Sequence, residues 1–472
     1  LVVYNDNRMS ISPNVGALSQ YLSLKLTTPE HIQLRERVKT ILERFMPQKG
    51  NRFIRRFQRA EESLKAFLVS PTAFLAAWGF KYIGPIDGHN LPRLVSALRQ
   101  VKVLKKPVLL HVMTTKGKGF LPAEKNPLAF HGVGRSKSLA DDLPTQTSLT
   151  QTIKKTYTDV FGGFLVHTAR TEERLTAVTA AMSQGTGLEE FFALFPERAF
   201  DVGIAEQHAV TFAAGLAASG LKPVVAIYST FLQRAFDQLF HDVALQKLPV
   251  VIAVDRAGLV GEDGPTHHGC FDLSFLRLLP NFTVLAPRDE HELVEMFRFA
   301  LTLDGPSAVR YPRGPVTGRH PHNGPPISLG KAEVMSEGSD LAIVAIGQTV
   351  WVAVEAAQKL KEKGIDAHVL NMRFIKPIDS QALAEAAVRC GKIITIEENS
   401  MAGGLYGAVA ETLSSLNLDK ALKIKGLGFN DIPVPPATQS WQRASLGLDP
   451  QGLAQAALDF FPELKVDKTV YA

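Results

Sequence analysis

A chain of 472 residues, 45% of them hydrophobic, is too long for one ordinary core and has the make-up of a packed globular protein, so about three domains are expected. Its 52 Lys and Arg against 46 Asp and Glu leave a formal charge of +6, which gives no electrostatic case for nucleic acid and suits a phosphorylated substrate. Two cysteines, Cys270 and Cys390, are too few for a disulfide framework and fit a reducing compartment, and no apolar run reaches the ~18 residues of a membrane span.

The chain opens at Leu1 in an apolar, β-branched run, "LVVYNDNRMS", with no leading Met and no signal-peptide pattern. It reads as a strand entered partway through a domain, and a longer parent protein is expected. "NDN" ends this strand at Asn5, Asp6 and Asn7. It is either a turn or a hard-cation site, where amide and carbonyl oxygens together with diphosphate oxygens suit an octahedral Mg²⁺. Residues 35–68 carry apolar positions at helical spacing with Arg and Lys on the other face, and read as a solvated helix pair over the site or at a subunit contact. The runs "PVLLHVM" (107–113), "PVVAIYS" (223–229), "PVVIAVD" (249–255), "LAIVAIG" (341–347), "HVLNMRF" (368–374) and "KIITIEE" (392–398) read as further strands, alternating with helix-length amphipathic segments. Continuous apolar strands imply sheets buried on both faces. Connectors at 134–151 and 314–330 divide the chain into domains at 1–140, 141–320 and 321–472.

Ligands of open α/β sheets bind at the carboxyl ends of strands, so polar residues there are the candidates. Glu206 lies between "FDVGIA" and "QHAVTFAAGLA", at a strand end and the start of a helix. It is either a carboxylate favoured by the helix dipole or a buried acid that hydrogen-bonds a ligand nitrogen. After the next strand come Tyr228, Phe231 and Arg234, as core packing or as a platform for a heteroaromatic cofactor. The loop "DRAGLVGEDGPTHHGCFD" holds Arg256, Asp263, His267 and His268. A zinc site from His267, His268 and Cys270 is disfavoured, because adjacent histidines have poor geometry for one ion. Arg310 and Arg313 of "SAVRYPRG" either grip a phosphate with forked donors or form ion pairs.

Taken together and in order, "NDNRMSIS", "GPIDGHN", "KGKGFLPAEK", "FHGV", "DVGIAEQHAVTFAAGLA", "AIYSTFLQRAFDQ", "DRAGLVGEDGPTHHGCFDL", "GPSAVRYPRG", "MRFIKPID" and "EEN" resemble the 1-deoxy-D-xylulose-5-phosphate synthase family of the transketolase-like superfamily, almost from end to end. The resemblance implies three consecutive parallel-sheet α/β domains, the first incomplete. It also implies thiamine diphosphate and Mg²⁺ as cofactors, decarboxylation of pyruvate with condensation onto D-glyceraldehyde 3-phosphate, a homodimer, and a cytoplasmic or, in a eukaryote, plastid location. No nucleic-acid or membrane partner is implied.

Residue by residue, Glu206 matches the acid that hydrogen-bonds the aminopyrimidine, Phe231 the aromatic beside it, and Tyr228 a side chain facing the reacting carbons. Asn7 and the Met9 carbonyl match part of the metal motif. Arg256 and Arg313 match holders of the acceptor's phosphate, Asp263 and His267 match polar groups near the intermediate, and His131 matches a histidine that assists proton movement. His208 is expected only to support Glu206. Phe120 stands near the cofactor where the family commonly has tyrosine, and the family's Gly-Asp-Gly segment has no counterpart after Leu1. On that ground the chain alone is expected to bind thiamine diphosphate weakly. The competing expectations are another transketolase-like enzyme, a 2-oxoacid dehydrogenase β subunit, or a non-catalytic remnant of the fold.

Overall fold

The computed structural model describes residues 1–11, 78–128, 130–131, 155–318, 324–416, 418 and 421–465. The charged segment at 35–68 and the connector at 134–151 lie outside them, as do residues 319–323 of the second connector. The chain divides into two compact units, Leu1–Leu139 and Ala140–Ala472.

In the first unit, β1 (Val2–Asp6), β2 (Lys81–Asp87) and β3 (Val108–Met113) form a parallel sheet in the order β1-β3-β2. The apolar run of β3 occupies the middle, where Val108, Leu110 and Val112 pack with Ala97 and Val101. The last two belong to the helix Leu91–Lys102, which starts where the Asn90 side chain accepts from the Arg93 N–H. Register pairs Asp6 with Met113, so "NDN" and the segment after β3 share one carboxyl edge.

The second unit holds two sheets. Strands β4 (Leu175–Thr179), β5 (Ala199–Asp201), β6 (Lys222–Tyr228), β7 (Val251–Asp255), β8 (Thr283–Leu285), β9 (Ser307–Arg310) and β13 (Phe374–Lys376) form a seven-stranded sheet ordered β13-β8-β9-β7-β6-β4-β5. Strands β10 (Glu333–Ser336), β11 (Leu341–Ala345), β12 (Ala367–Asn371), β14 (Lys392–Ser400) and β15 (Lys423–Phe429) form a five-stranded sheet ordered β10-β12-β11-β14-β15. Every pair is parallel except β13 with β8 and β10 with β12, so the sheets are parallel-dominated rather than wholly parallel. A continuous apolar cluster joins Val225, Ile227 and Val254 on one side to Val344, Leu370 and Val409 on the other.

The run at 368–374, expected as one strand, is divided between the two sheets. β12 ends at Asn371, Arg373 takes a left-handed backbone with φ 54°, and β13 begins at Phe374 on the opposite sheet. Apolar continuity cannot reveal this, because both pieces are buried and only the backbone turn separates them.

Candidate active site

Glu206 is the first residue of the helix Glu206–Ala218, whose N-terminus has no side-chain cap. Asp201 at the end of β5 sets up this start, its Oδ1 accepting from the N–H groups of Ala181 (2.8 Å) and Gly203 (2.9 Å). Gly203 has φ 74°, a backbone that glycine adopts without strain. The chain thereby turns so that Glu206 meets the uncapped helix end, where the dipole favours its charge. Its side chain is only 5% exposed, yet Oε1 accepts from Nη1 of Arg234 at 2.8 Å.

Arg234 lies over the ring of Phe231 at 5.2 Å, and Phe231 stacks with Tyr228 at 5.9 Å and an interplanar angle of 12°. Arg256 lies over the Tyr228 ring at 3.9 Å. The expected group of Tyr228, Phe231 and Arg234 is therefore contiguous with Glu206. Burial raises the Tyr228 phenol far above its ordinary range, so the hydroxyl stays protonated at neutral pH. Gly185 stands so close that an added Cβ would lie 2.2 Å from the Tyr228 hydroxyl.

Arg256 follows β7 with a left-handed φ of 58°, uncommon for a residue with a side chain and a mark of a position constrained by its surroundings. Its Nη1 bonds Gly185 O at 2.8 Å and pairs with the buried Asp255 at 3.0 Å. Burial holds the Asp255 carboxyl above its usual range even though Arg256 and the Thr158 hydroxyl oppose the shift. Farther along the loop, His267 sets its ring edge-on to Phe231 at 5.5 Å and contacts Thr266 Oγ1 through Nδ1 at 2.8 Å. Asp263 pairs with Arg313 at 2.5 Å.

Three further polar residues have partners outside this group. Arg310 takes the ion-pair alternative, buried rather than at the surface, with Nε on Asp272 Oδ2 at 3.0 Å and Nη2 on Glu398 O at 2.9 Å. His268 is also buried, accepting from Val260 N–H and bonding Val434 O. His208 is exposed and touches Phe212, outside the group around Glu206. Among the described residues no three His, Cys, Asp or Glu side chains are grouped so as to hold a metal ion. Both cysteines are free, and burial pushes the Cys270 thiol up to about 12, out of the reactive range.

In the first unit Asn7 Oδ1 accepts from Met9 N–H at 3.0 Å and Asp6 Oδ1 from Arg8 N–H at 2.9 Å, so the "NDN" segment is a pre-shaped turn. Beneath it runs a chain that the sequence did not suggest. Asp6 Oδ2 meets His111 Nε2 at 3.2 Å, and His111 Nδ1 meets the Tyr82 hydroxyl at 2.7 Å. The loop after β3 brings Lys116, whose buried Nζ has no hydrogen-bond partner among the described residues. Partial burial, helped by the Lys116 charge, keeps the His131 imidazole below its ordinary range. Phe120 is exposed and lies edge-on to Phe130 at 5.5 Å.

A family model described as 1-deoxy-D-xylulose-5-phosphate synthase matches residues 1–114, one for the transketolase pyrimidine-binding domain matches 153–318, and one for the transketolase C-terminal domain matches 330–453. The 1-deoxy-D-xylulose-5-phosphate synthase 1 of Geobacter sulfurreducens is 52% identical over 461 residues, covering 98% of this chain and 71% of that relative. The chain belongs to the 1-deoxy-D-xylulose-5-phosphate synthase family. The synthase of Syntrophus aciditrophicus is 49% identical over 463 residues, covering 97% of this chain and 70% of that relative. A structure titled as a split-gene transketolase, inactive beta4 tetramer, aligns with TM-score 0.60 and 32% identity over 66% of this chain and 99% of that one. The transketolase of Campylobacter jejuni shares the fold, with TM-score 0.56 and 21% identity over 81% of this chain and 68% of that one. The activity is thus that of a 1-deoxy-D-xylulose-5-phosphate synthase, a transketolase-type transferase, and neither the dehydrogenase subunit nor the non-catalytic remnant is favoured.

The family implies thiamine diphosphate. The residues fit it within each unit: an orphaned ammonium at Lys116 suits a diphosphate, and a buried carboxylate beside an aromatic ring, Glu206 and Phe231, suits a heterocycle with ring nitrogens.

Proposed function

We propose that the residues around Glu206 carry the chemistry by which pyruvate is decarboxylated and joined to D-glyceraldehyde 3-phosphate, giving 1-deoxy-D-xylulose 5-phosphate and CO2. The observation that supports this most is the continuous contact from Glu206 through Arg234, Phe231 and Tyr228 to Arg256. When bound, thiamine diphosphate supplies the nucleophilic carbon and the electron sink. Glu206 would hydrogen-bond a ring nitrogen of the bound cofactor and favour the tautomer able to take up a proton, with the Arg234 guanidinium on its other oxygen. Phe231 would pack against the bound heterocycle, and Tyr228, protonated, would donate to an oxygen on the reacting carbons. His267 and Asp263 bond the hydroxyl groups of the nascent product, and His131 takes part in proton movement in the first half-reaction.

Arg256 and Arg313 bind the acceptor's phosphate. Arg256 is preset by Asp255, and Arg313, 40% exposed, has free donor capacity for the ligand. Asn7 and the Met9 carbonyl would hold Mg²⁺, Lys116 would pair with the diphosphate, and the Phe120 ring would lie near the cofactor. The same reading makes the enzyme a cytoplasmic homodimer. Few cysteines and bacterial relatives support the location, and among the described residues no helix is long and apolar enough to cross a membrane.

In a product assay with pyruvate, D-glyceraldehyde 3-phosphate, thiamine diphosphate and Mg²⁺, 1-deoxy-D-xylulose 5-phosphate and CO2 are expected and a lipoyl acceptor stays unacetylated. Acetylated lipoyl domain without the sugar phosphate would refute the reading. Arg313→Met is expected to raise KM for the aldehyde phosphate about ten- to hundredfold, the value of one or two charged hydrogen bonds. KM for pyruvate should stay within about twofold. Asn7→Ala is expected to raise the Mg²⁺ concentration needed for half-maximal activity by about tenfold or more. An unchanged Mg²⁺ titration removes Asn7 from the metal site.

A further inference from the structure

Between Arg256 and His267 the loop passes through Leu259, Val260 and Gly261, and all six backbone polar groups of this tripeptide are met by side chains. Leu259 N–H donates to Glu398 Oε2 at 3.0 Å and its carbonyl accepts from Gln439 Nε2 at 2.6 Å. Val260 N–H donates to His268 Nδ1 at 3.1 Å and its carbonyl accepts from Arg313 Nη1 at 2.7 Å. Gly261 is clamped by one carboxamide: its N–H donates to Gln442 Oε1 at 3.1 Å and its carbonyl accepts from Gln442 Nε2 at 3.0 Å. Four of these six bonds come from residues beyond 397, belonging to the half that carries the five-stranded sheet.

The clamp is itself rigid. Gln442 is fully buried and Glu398 is 2% exposed. Glu398 Oε1 accepts from Arg443 Nε at 2.6 Å, Oε2 accepts from Gln348 Nε2 at 2.7 Å, and Arg443 Nη2 reaches Gln348 Oε1 at 3.0 Å. The loop lies tight against this scaffold, because a Cβ on Gly258 would sit 2.3 Å from Glu398 Oε2 and one on Gly264 would sit 2.7 Å from Pro436 Cγ. A buried carboxamide that exchanges two bonds with the N–H and carbonyl of one residue sets that residue's orientation as well as its place.

We infer that Gln442, Gln439 and Glu398 are positioning residues for the reaction: by fixing Leu259–Gly261 they set where Asp263 and His267 meet the substrate. This rests on the roles proposed above for Asp263 and His267. None of the three touches the reacting atoms, so their effect passes through the loop.

The test is a mutant cycle in the holoenzyme. Gln442→Leu is expected to lower kcat about a hundredfold, the scale of an ångström of misplacement, with KM for pyruvate little changed. Added to the Asp263→Asn/His267→Asn double variant, the same substitution should cost less than about twofold more, because both groups that the loop places are already gone. Amide hydrogen exchange over 259–268 should quicken by at least about tenfold while that of 251–255 stays unchanged. Gln439→Leu, at a half-buried position, gives the same pattern more weakly and serves if Gln442→Leu does not fold. Losses that add in full, or normal kcat in Gln442→Leu when Asp263→Asn is crippled, overturn the inference. Near wild-type kcat in both Asp263→Asn and His267→Asn overturns the functional reading, and this inference with it.

Discussion

Replacing Glu206 with alanine is expected to lower kcat by about two to four orders of magnitude, the range of a well-placed acid or base. The fold should survive, for a structural reason. Among the described residues the carboxylate is partnered by Arg234, whose side chain is 51% exposed and hydrates when the acid is removed, so no uncompensated charge is left inside. Melting temperature should therefore change little while hydrogen–deuterium exchange at C2 of added thiamine diphosphate falls to the rate in buffer. Glu206→Gln keeps the shape but loses the charge, and should be almost as impaired. An alanine variant with more than about a tenth of normal kcat and normal C2 exchange would remove Glu206 from the mechanism.

Arg373→Met should be the most destabilising of the changes considered, by about 3–5 kcal/mol, since it removes one partner from a buried ionic group. Arg373 is 1% exposed; its Nε lies 2.7 Å from Glu292 Oε1 and its Nη2 2.8 Å from Glu333 Oε2. Arg288 also pairs with Glu333 and donates its backbone N–H to Glu292 Oε2, and Asn371 Nδ2 reaches Glu292 at 2.9 Å. Burial already raises the Glu292 carboxyl against the pull of both arginines. Without Arg373 three carboxylates, those of Asp289, Glu292 and Glu333, face the one guanidinium of Arg288 in a dry site. The melting temperature should drop, and Glu292→Gln added to Arg373→Met should recover part of the loss by removing the surplus charge. A single variant that melts with the wild type would show that the network carries no net stability.

Strands β3, β6, β7, β11 and β14 were legible because a parallel strand buried on both faces must be apolar throughout. The short β8 and β10 were not singled out, and β15, "KIKGLGF", mixes Lys and Gly into a strand whose first residues are half-exposed or exposed. Glu206, Tyr228, Phe231 and Arg256 were visible because polar or aromatic residues at strand ends call for an explanation, and the structure draws these into one group. Arg310 shows the limit of that rule: its partner Asp272 is 38 positions away, and nothing in "SAVR" tells a buried ion pair from a phosphate ligand. Gln439 and Gln442 carried no signal, since a glutamine in a polar segment looks like surface. Their partners, Leu259 and Gly261, lie 180 and 181 positions earlier.

That separation bears on recombination between relatives. A chimera that takes the segment around 256–268 from one parent and the segment around 434–443 from another joins a loop to a socket shaped for a different one, even though no reacting group has changed. Glu398, Gln439, Gln442 and Pro436 travel best as one inherited block with the loop they grip, so crossovers near residue 320 break a hidden linkage that a domain map drawn along the chain would leave out.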